Sequence, residues 1–479
     1  MEKKIKIYNT LSGKKDLIKP LKGKKINLFV CGPTVYDFPH IGNARTYIIF
    51  DCFAKYLKQI GFTVFYLQNI TDIDDKIIMM AKEKDVEAKD LAIAFEKEYL
   101  KSMKALGVTS VAKYARATSH IKEIISQVKR LQEKGYAYKL DDGVYFNIAK
   151  FKGYGKLSHR TALQAEDSIS RIDYNKNKIN RGDFCLWKFE IRGEPRWPAP
   201  FGAGRPGWHI EDTAITEKFF GPQYDIHGGG RDIIFPHHEA EVTQMESISG
   251  KKPLVKYWMH TGFLTVEGQK MGKSLNNFIF IDEFLKRHST YLLRFWVAKN
   301  LWRSPIDFTE GAIIEVNMLL AKIEEFLRKL KNIGSQHPNS KKNQQRLGKT
   351  AVRPLTLLKD AKNSFYQELA DDFNTPKAFA VLFEFIREIN KLLEEGLVDK
   401  KESKEIYGFF EEINNIFGII DFKKLKTSNI PKEVLELVKI REEHRKNTEW
   451  IRADQVRQEI EKYGFSVYDT QSGPVVKKL

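Results

Sequence analysis

Three groups of residues in this chain have types and spacings that could do chemistry. The first is Pro39-His40-Ile41-Gly42-Asn43, which lies between an apolar run and a helical repeat. Unpaired backbone N–H groups at a helix start favour phosphate. Gly42 would let a nucleotide come close to the main chain, and His40 and Asn43 can donate hydrogen bonds to phosphate oxygens. The second is Lys270-Met271-Gly272-Lys273-Ser274, where two lysines around a glycine suit a mobile loop that clamps a triphosphate. Alone, either string reads as an ordinary turn or surface loop; together they frame one ATP between two halves of a nucleotide-binding sheet. The third is a scattered set of metal-ligand types: Cys31, then Gly207-Trp208-His209-Ile210-Glu211-Asp212, then His237-His238-Glu239-Ala240-Glu241 after Phe235-Pro236. A helix starting at Pro236 puts His237 and Glu241 four residues apart on one face. One thiol, one imidazole and carboxylates would suit zinc. Taken singly, Cys31 also reads as a small buried residue and His237 as a satisfied or capping histidine.

The elements that must position these groups follow from apolar spacing. Residues 26–31 read as a short buried strand, and 63–69 as the next one. Between them a helix opening at about Asn43 carries Ile48, Ile49, Cys52, Phe53, Tyr56, Leu57 and Ile60 at helical spacing, with Gly61 as its stop. Strand, helix, strand at this length is a βαβ unit, so a parallel sheet is the default. Residues 86–140 are mostly helical in pattern, 141–205 are mixed, and 206–250 form a second strand-and-loop region. After residue 311, Ile313, Val316, Leu320, Ile323, Leu327 and Leu330 mark a long amphipathic helix. Residues 334–349 have linker composition, and Asn374-Thr375-Pro376 starts another helix. In the charged tail, Arg441, Arg445, Lys446, Arg452 and Arg457 fit a solvated salt-bridged helix as well as an RNA contact.

Composition narrows the class. The chain has 479 residues, 42% of them hydrophobic and 12% aromatic, enough for a sizeable core, so wholesale disorder is excluded. Lys and Arg number 80 against 62 Asp and Glu, a net charge of +18 that favours a polyanionic partner. No apolar run is long enough to span a bilayer, and the start Met1-Glu2-Lys3-Lys4 shows no secretory pattern. Three cysteines, Cys31, Cys52 and Cys185, cannot build a disulfide framework, so a reducing, cytoplasmic setting is expected.

Longer strings carry a resemblance that runs nearly end to end. They are Cys31-Gly32-Pro33-Thr34-Val35-Tyr36-Asp37, His40-Ile41-Gly42-Asn43, Asn69-Ile70-Thr71-Asp72-Ile73-Asp74-Asp75-Lys76, Tyr154-Gly155-Lys156-Leu157-Ser158, Asp183-Phe184-Cys185-Leu186-Trp187-Lys188, Arg205-Pro206-Gly207-Trp208-His209-Ile210-Glu211, Asp225-Ile226-His227-Gly228-Gly229-Gly230, Phe235-Pro236-His237-His238-Glu239, the Lys270–Ser274 loop, and Asp371-Asp372-Phe373-Asn374-Thr375-Pro376. In this order they resemble the class I aminoacyl-tRNA synthetases, and within them the cysteinyl-tRNA synthetase (cysteine–tRNA ligase) family.

The resemblance implies an α/β fold: a Rossmann-type parallel sheet with an inserted connective domain, then an α-helical bundle and a small C-terminal module. The expected boundaries are 1–105 and 206–260 for the two catalytic halves, 106–205 for the insertion, 261–310 for the lysine loop and stem-contact region, 311–425 for the tRNA-binding bundle, and 426–479 for the anticodon-binding module. The family's zinc ligands fall on Cys31, Asp212, His237 and Glu241. Asp212 stands where the family has cysteine, and an oxygen donor should make the ion more electrophilic and less tightly held. Zinc on these four residues is favoured; another divalent metal, or a site partly without metal, stays open. Cys185, where the family usually has Ala, could replace the missing sulfur, though a core-facing residue is the simpler reading. L-cysteine is expected against Gly32, Thr71, Trp208, His227 and Asp232, with Asp232 pairing its ammonium. ATP with Mg²⁺ is expected at His40, Gly42, Asn43, Gly230, Asp232, Lys270 and Lys273, with His40, Asn43, Lys270 and Lys273 catalytic. Gly272 replaces the family's usual Ser. The expected partner is the tRNA for cysteine, bound by a monomer. Two alternatives remain at this stage: a ligase joining cysteine to an amino-sugar inositol, which should not need residues 311–479, and a non-catalytic RNA-binding relative, which predicts broken ATP motifs.

Overall fold

The structure, a computed structural model, describes residues 4–160, 175–272, 275, 277–336, 353–426, 431–470 and 473–478. The chain divides into two compact units that cut across the linear boundaries expected above. The first comprises Met1–Met318, Lys362–Leu382 and Glu412–Ile419, and the second Leu319–Ala361, Phe383–Glu411 and Ile420–Leu479.

The first unit is built on a five-stranded, all-parallel sheet in the spatial order Val255–Thr261, Tyr224–Gly230, Lys25–Val30, Thr63–Ile70, Lys113–Arg116. Ile26, Leu28, Phe29 and Val30 are all fully buried, as expected for a strand covered on both faces. The chain winds outward from Lys25–Val30 in one direction and returns on its other side at Tyr224–Gly230. The carboxyl ends of these two strands therefore flank the switch point where open α/β sheets bind ligands. Lys113–Arg116 is a difference from the sequence reading, which began the insertion at 106. This four-residue strand, Lys-Tyr-Ala-Arg, is too short to show a period.

The helix Ile41–Gln59 buries Ile48, Ile49, Cys52, Phe53, Tyr56 and Leu57 as its spacing predicts, and Gly61 follows its last cap at φ +97°. It starts two residues before Asn43, because His40 and Asn43 cap it reciprocally. Its polar residue Asp51 is fully buried. Asp51 Oδ2 accepts from Arg294 Nη2 (2.8 Å) and Lys55 Nζ (2.7 Å), and Oδ1 accepts from the Thr109 and Ser110 amides (both 3.0 Å). Burial would raise this carboxyl's pKa, but Arg294 and Lys55 outweigh it and hold the group below its ordinary range. Replacing Asp51 with Ala leaves the Arg294 guanidinium buried without its counter-charge and should cost about 3–5 kcal/mol, measured by denaturant unfolding. The stabilisation should be present at neutral pH and decline as the pH falls through the lowered pKa.

Between the two catalytic halves lies a four-stranded antiparallel sheet, Ala137–Lys139, Gly143–Phe146, Phe184–Phe189 and Gly204–Pro206. Cys185 sits on it, buried, with Sγ 3.7 Å from the Val144 carbonyl. It belongs to none of the possible metal-ligand groups among the described residues, so it faces the core rather than replacing the missing sulfur.

The second unit is mainly helical, with one antiparallel pair of strands, Phe465–Thr470 and Gly473–Lys478. Leu320, Ile323, Phe326, Leu327 and Leu330 of the helix Glu310–Gln336 are buried, as are Phe385, Ile389, Ile406 and Phe410; the Phe326 and Phe410 rings lie 5.3 Å apart. That helix runs into the expected linker, and residues 337–349 of the linker lie outside the described residues. In the tail, Val434, Val438, Ile460, Phe465 and Val467 form a small core. Arg441 is buried, with both Nη atoms 2.9 Å from the Asp469 carboxylate. Of the two readings of the tail arginines, this one therefore takes the salt-bridged form.

Candidate metal and nucleotide site

The metal-ligand types converge at the carboxyl end of the sheet. Cys31 follows the strand Lys25–Val30, and its amide donates to the Gly228 carbonyl of the neighbouring strand (3.0 Å). Asp212 lies in the first turn of Ile210–Phe220 and Glu241 in the first turn of Glu239–Ser249. His237 precedes that second helix, four residues before Glu241. His237 Nε2 lies 3.1 Å from Asp212 Oδ2, 3.3 Å from Glu241 Oε1 and 3.6 Å from Cys31 Sγ. All four side chains are buried.

These three separations match donor–donor edges around a tetrahedral ion. Bonds of about 2.0–2.1 Å to nitrogen and oxygen set donor–donor edges near 3.3 Å, and a bond of about 2.3 Å to sulfur sets an edge near 3.6 Å. The protein alone leaves the acidic groups unsatisfied: Asp212 Oδ1 and both Glu241 oxygens are buried without a hydrogen-bond partner. Burial, then Asp212 and Glu241, push the Cys31 thiol pKa well up. Burial, then Asp212, do the same to Glu241. A bound dication would reverse both directions. The residues therefore fit a divalent ion. Asp212, His237 and Glu241 form one group of possible ligands, Cys31 with His237 and His238 a second, and His227, His238 and Glu241 a third.

Other histidines surround this set, and the sequence reading gave roles to only some of them. His237 Nδ1 is 3.0 Å from His209 Nδ1. With the Nε2 lone pair of His237 turned to the ligand set, its Nδ1–H donates to His209, which fixes the tautomer. Burial first, then His237, hold the His209 pKa well below its ordinary value, so it stays a neutral acceptor. His238 Nδ1 pairs with His260 Nε2 (2.8 Å), and His260 Nδ1 with Thr10 Oγ1 (2.7 Å). His227 contacts Tyr224 OH through Nδ1 (2.7 Å) and stacks on Trp258 at 4.3 Å. Trp208 stacks on His237, also at 4.3 Å. Only adjacency to Trp208 and His237 could have flagged His209 and His238.

A hydrogen-bonded wall joins two of the expected cysteine-binding residues, Gly32 and Thr71. The Gly32 amide donates to Asn69 Oδ1 (2.5 Å), Asn69 Nδ2 to Thr71 Oγ1 (3.3 Å), and Thr71 Oγ1 to Glu211 Oε2 (2.7 Å). A Cβ on residue 32 would fall 1.8 Å from the Asn69 carbonyl oxygen, so glycine is required. A second buried carboxylate explains the Tyr154–Ser158 string. Glu239 accepts from the Gly155, Leu157 and Ser158 amides at 2.8–3.0 Å, which pins the helix bearing Glu241 to the insertion.

The nucleotide signatures also meet. The Gly42 amide donates to His40 Nδ1 and the His40 amide to Asn43 Oδ1, each at 3.1 Å. His40 therefore accepts at Nδ1 and carries its proton on Nε2. Burial, opposed by Asp37, lowers its pKa to about 4, so it is neutral at physiological pH. A Cβ on Gly42 would lie 2.8 Å from Met271 Cε, which places the lysine loop over the helix start. Asn277 holds that loop, accepting from the Gly272 amide (2.9 Å) and donating to the Lys270 carbonyl (3.2 Å). Lys270 is exposed; Lys273 and Ser274 lie outside the described residues. Gly230 ends the strand Tyr224–Gly230, and Asp232 follows in an exposed single turn. Arg45, buried, ties this helix to the segment that bears the loop through the Gly262, Phe263, Trp302 and Ser304 carbonyls.

A parallel sheet with a capped helix start and a lysine loop at its switch point defines a class I aminoacyl-tRNA synthetase. The sequence profile described as tRNA synthetases class I (C) catalytic domain matches residues 17–318, and that of the DALR domain residues 364–421. Two solved structures share the fold at low identity. Mycobacterium tuberculosis methionyl-tRNA synthetase in complex with methionyl-adenylate has a TM-score of 0.64 and 14% identity, covering 83% of this chain and 92% of that one. The ternary complex of an Agrobacterium radiobacter leucyl enzyme has a TM-score of 0.62 and 10% identity, covering 85% and 86%. At the sequence level the chain is 43% identical to the cysteine–tRNA ligase of Thermococcus gammatolerans over 99% of both chains. It is 41% identical to that of Methanococcus maripaludis, again over 99% of both. The chain belongs to the cysteine–tRNA ligase family. The full-length match includes residues 311–479, which an amino-sugar inositol ligase should not need, so that alternative is not favoured.

Proposed function

We propose that this chain charges the tRNA for cysteine, with Cys31, Asp212, His237 and Glu241 holding one divalent ion, zinc by the donor set. When bound, the ion supplies a soft Lewis-acidic centre that recognises the substrate's sulfur. Shape alone separates near-isosteres such as cysteine and serine poorly; one methylene is worth about 1–3 kcal/mol. Gly32, Thr71, Trp208 and His227 border the amino acid. His40 Nε2–H, Asn43, Lys270 and Lys273 surround the ATP phosphates with Mg²⁺, and Gly230 and Asp232 lie on the ribose side. The cysteine carboxylate attacks the α-phosphorus, a new P–O bond forms, and pyrophosphate leaves with the electrons of the broken bond. The attacking group is already anionic, so no general base is needed, and the residues act by positioning and by neutralising charge. A terminal hydroxyl of the tRNA then takes the cysteinyl group and releases AMP. The helical second unit and the +18 charge support tRNA binding that weakens steeply with salt.

The observation that carries this reading is the set of three separations, 3.1, 3.3 and 3.6 Å, around His237 Nε2. Metal analysis of the purified chain and of Asp212→Cys tests it. The wild type should hold about one ion per chain, and Asp212→Cys should retain it at least ~10-fold longer against a chelator, because a thiolate suits zinc better than a carboxylate. A chain that holds no stoichiometric metal yet still prefers cysteine strongly over serine would falsify the metal readout.

A further inference from the structure

The wall of the amino-acid pocket contains a carboxyl group that the reaction above does not use. Glu211 is fully buried. Its Oε2 accepts from Thr71 Oγ1 at 2.7 Å, while its Oε1 is buried with no hydrogen-bond partner. Among the described residues no cationic side chain pairs with it; the neighbouring charges that act on it are Asp212, Asp74 and Asp72. It is also close enough to act on the Cys31 thiol. Its bond to Thr71 joins it to the Gly32–Asn69–Thr71 wall, and it shares the first helix turn with Asp212. A buried carboxyl oxygen without a donor is costly unless a ligand supplies one. Of the groups on cysteine, the thiol belongs to the ion and the carboxylate must reach the α-phosphorus, which leaves the ammonium. Asp232, to which the resemblance assigns this role, is exposed in a single turn, where an ion pair is weakened by water.

We infer that Glu211 is a substrate-binding residue that receives the α-ammonium group of bound cysteine through Oε1, with Thr71 holding its other oxygen. This rests on the proposed function, since it takes cysteine as the ligand.

The test compares L-cysteine with 3-mercaptopropionate, which lacks only the ammonium, by calorimetric titration of the metal-loaded full chain. The wild type should bind cysteine at least 100-fold more tightly than the analogue. In Glu211→Gln that ratio should fall below 10-fold, with the analogue's own affinity changed less than threefold and the metal content unaltered. In Asp232→Asn, which leaves the buried wall intact, the ratio should persist, and this arm reads out even if the buried substitution impairs folding. An unchanged ratio in Glu211→Gln, an equal loss of both ligands there, or a collapse of the ratio in Asp232→Asn overturns the assignment. If the wild type binds neither thiol, the proposed function itself fails; if it binds cysteine and Glu211→Gln keeps the ratio, only the ammonium site fails.

Discussion

His237→Ala is expected to lose its bound metal and to reduce cysteine-dependent ATP–pyrophosphate exchange by at least about 10³, well beyond the roughly 10–100-fold that an outer-shell partner costs. The reason is geometric. His237 Nε2 is the atom from which Asp212, Glu241 and Cys31 are all measured at ion-spanning distances, 3.1, 3.3 and 3.6 Å. Without it, Asp212, Glu241 and Cys31 keep, among the described residues, only His227 and the more distant His238, whose Nε2 lies 3.9 Å from Glu241 Oε1, as nearby neutral donors. They should then take up protons rather than metal. His209→Ala is the graded comparison. It removes only the group that accepts from His237 Nδ1, so metal affinity should fall by about 10–100-fold while stoichiometric loading is recovered at high metal concentration. Elemental analysis paired with the exchange assay separates the two variants. Equal losses in both would mean that His237 does not bind the ion directly.

The second large effect is expected at His40. Its ring caps the helix through Nδ1 and leaves Nε2–H as a donor. Removing one preorganised donor of this kind costs about 10²–10³ in rate, so His40→Ala should lower the maximal exchange rate by that amount and leave the KM for cysteine unchanged. Protonation follows from the same contact. Folding lowers the His40 pKa from 6.5 to about 4, chiefly through burial. Between those values the unfolded chain binds more protons than the folded one, so stability rises with pH across this window. The contribution of neutral His40 is complete above about 6.5 and is lost as the pH falls through about 4. Its protonation would also place a proton on Nδ1, where the Gly42 amide now donates. The exchange rate at saturating cysteine should therefore show no inflection from His40 near pH 6.5 and should fail only in acid. An inflection near neutrality that disappears in His40→Gln would contradict this.

Much of this site is legible in one dimension because its pieces are local. The buried strand read at 26–31, the helical spacing from Ile48 to Ile60 and the stop at Gly61 each depend on contacts within a few residues, and the structure has them as a strand at Lys25–Val30 and a helix at Ile41–Gln59 capped at Ile60. The His237–Glu241 pair obeys the same logic, since i and i+4 share a helix face. Where local signals were thin, the reading slipped. The strand Lys113–Arg116 has four residues and no period, and the true helix start was hidden because the cap is a histidine rather than the usual Ser, Thr, Asp or Asn.

The roles of His209, His238, His260 and Glu211 were not readable at all. What each does is set by a partner more than twenty residues away: His237 for His209, His260 for His238, and Thr71 for Glu211. Residue types and short spacings thus pointed by themselves to a helix start and a lysine loop suited to phosphate, to a set of metal-ligand types, and to the family they belong to. Only the tertiary structure decided that Asp212, Glu241 and Cys31 each approach the buried His237 Nε2, that Cys185 belongs to no possible ligand group among the described residues, and that Glu211 Oε1 is left without a donor. The strands ending at Val30 and Gly230 are almost 200 positions apart in the chain and neighbours in the sheet, and that closure is enforced by the burial of their apolar faces rather than by any local pattern.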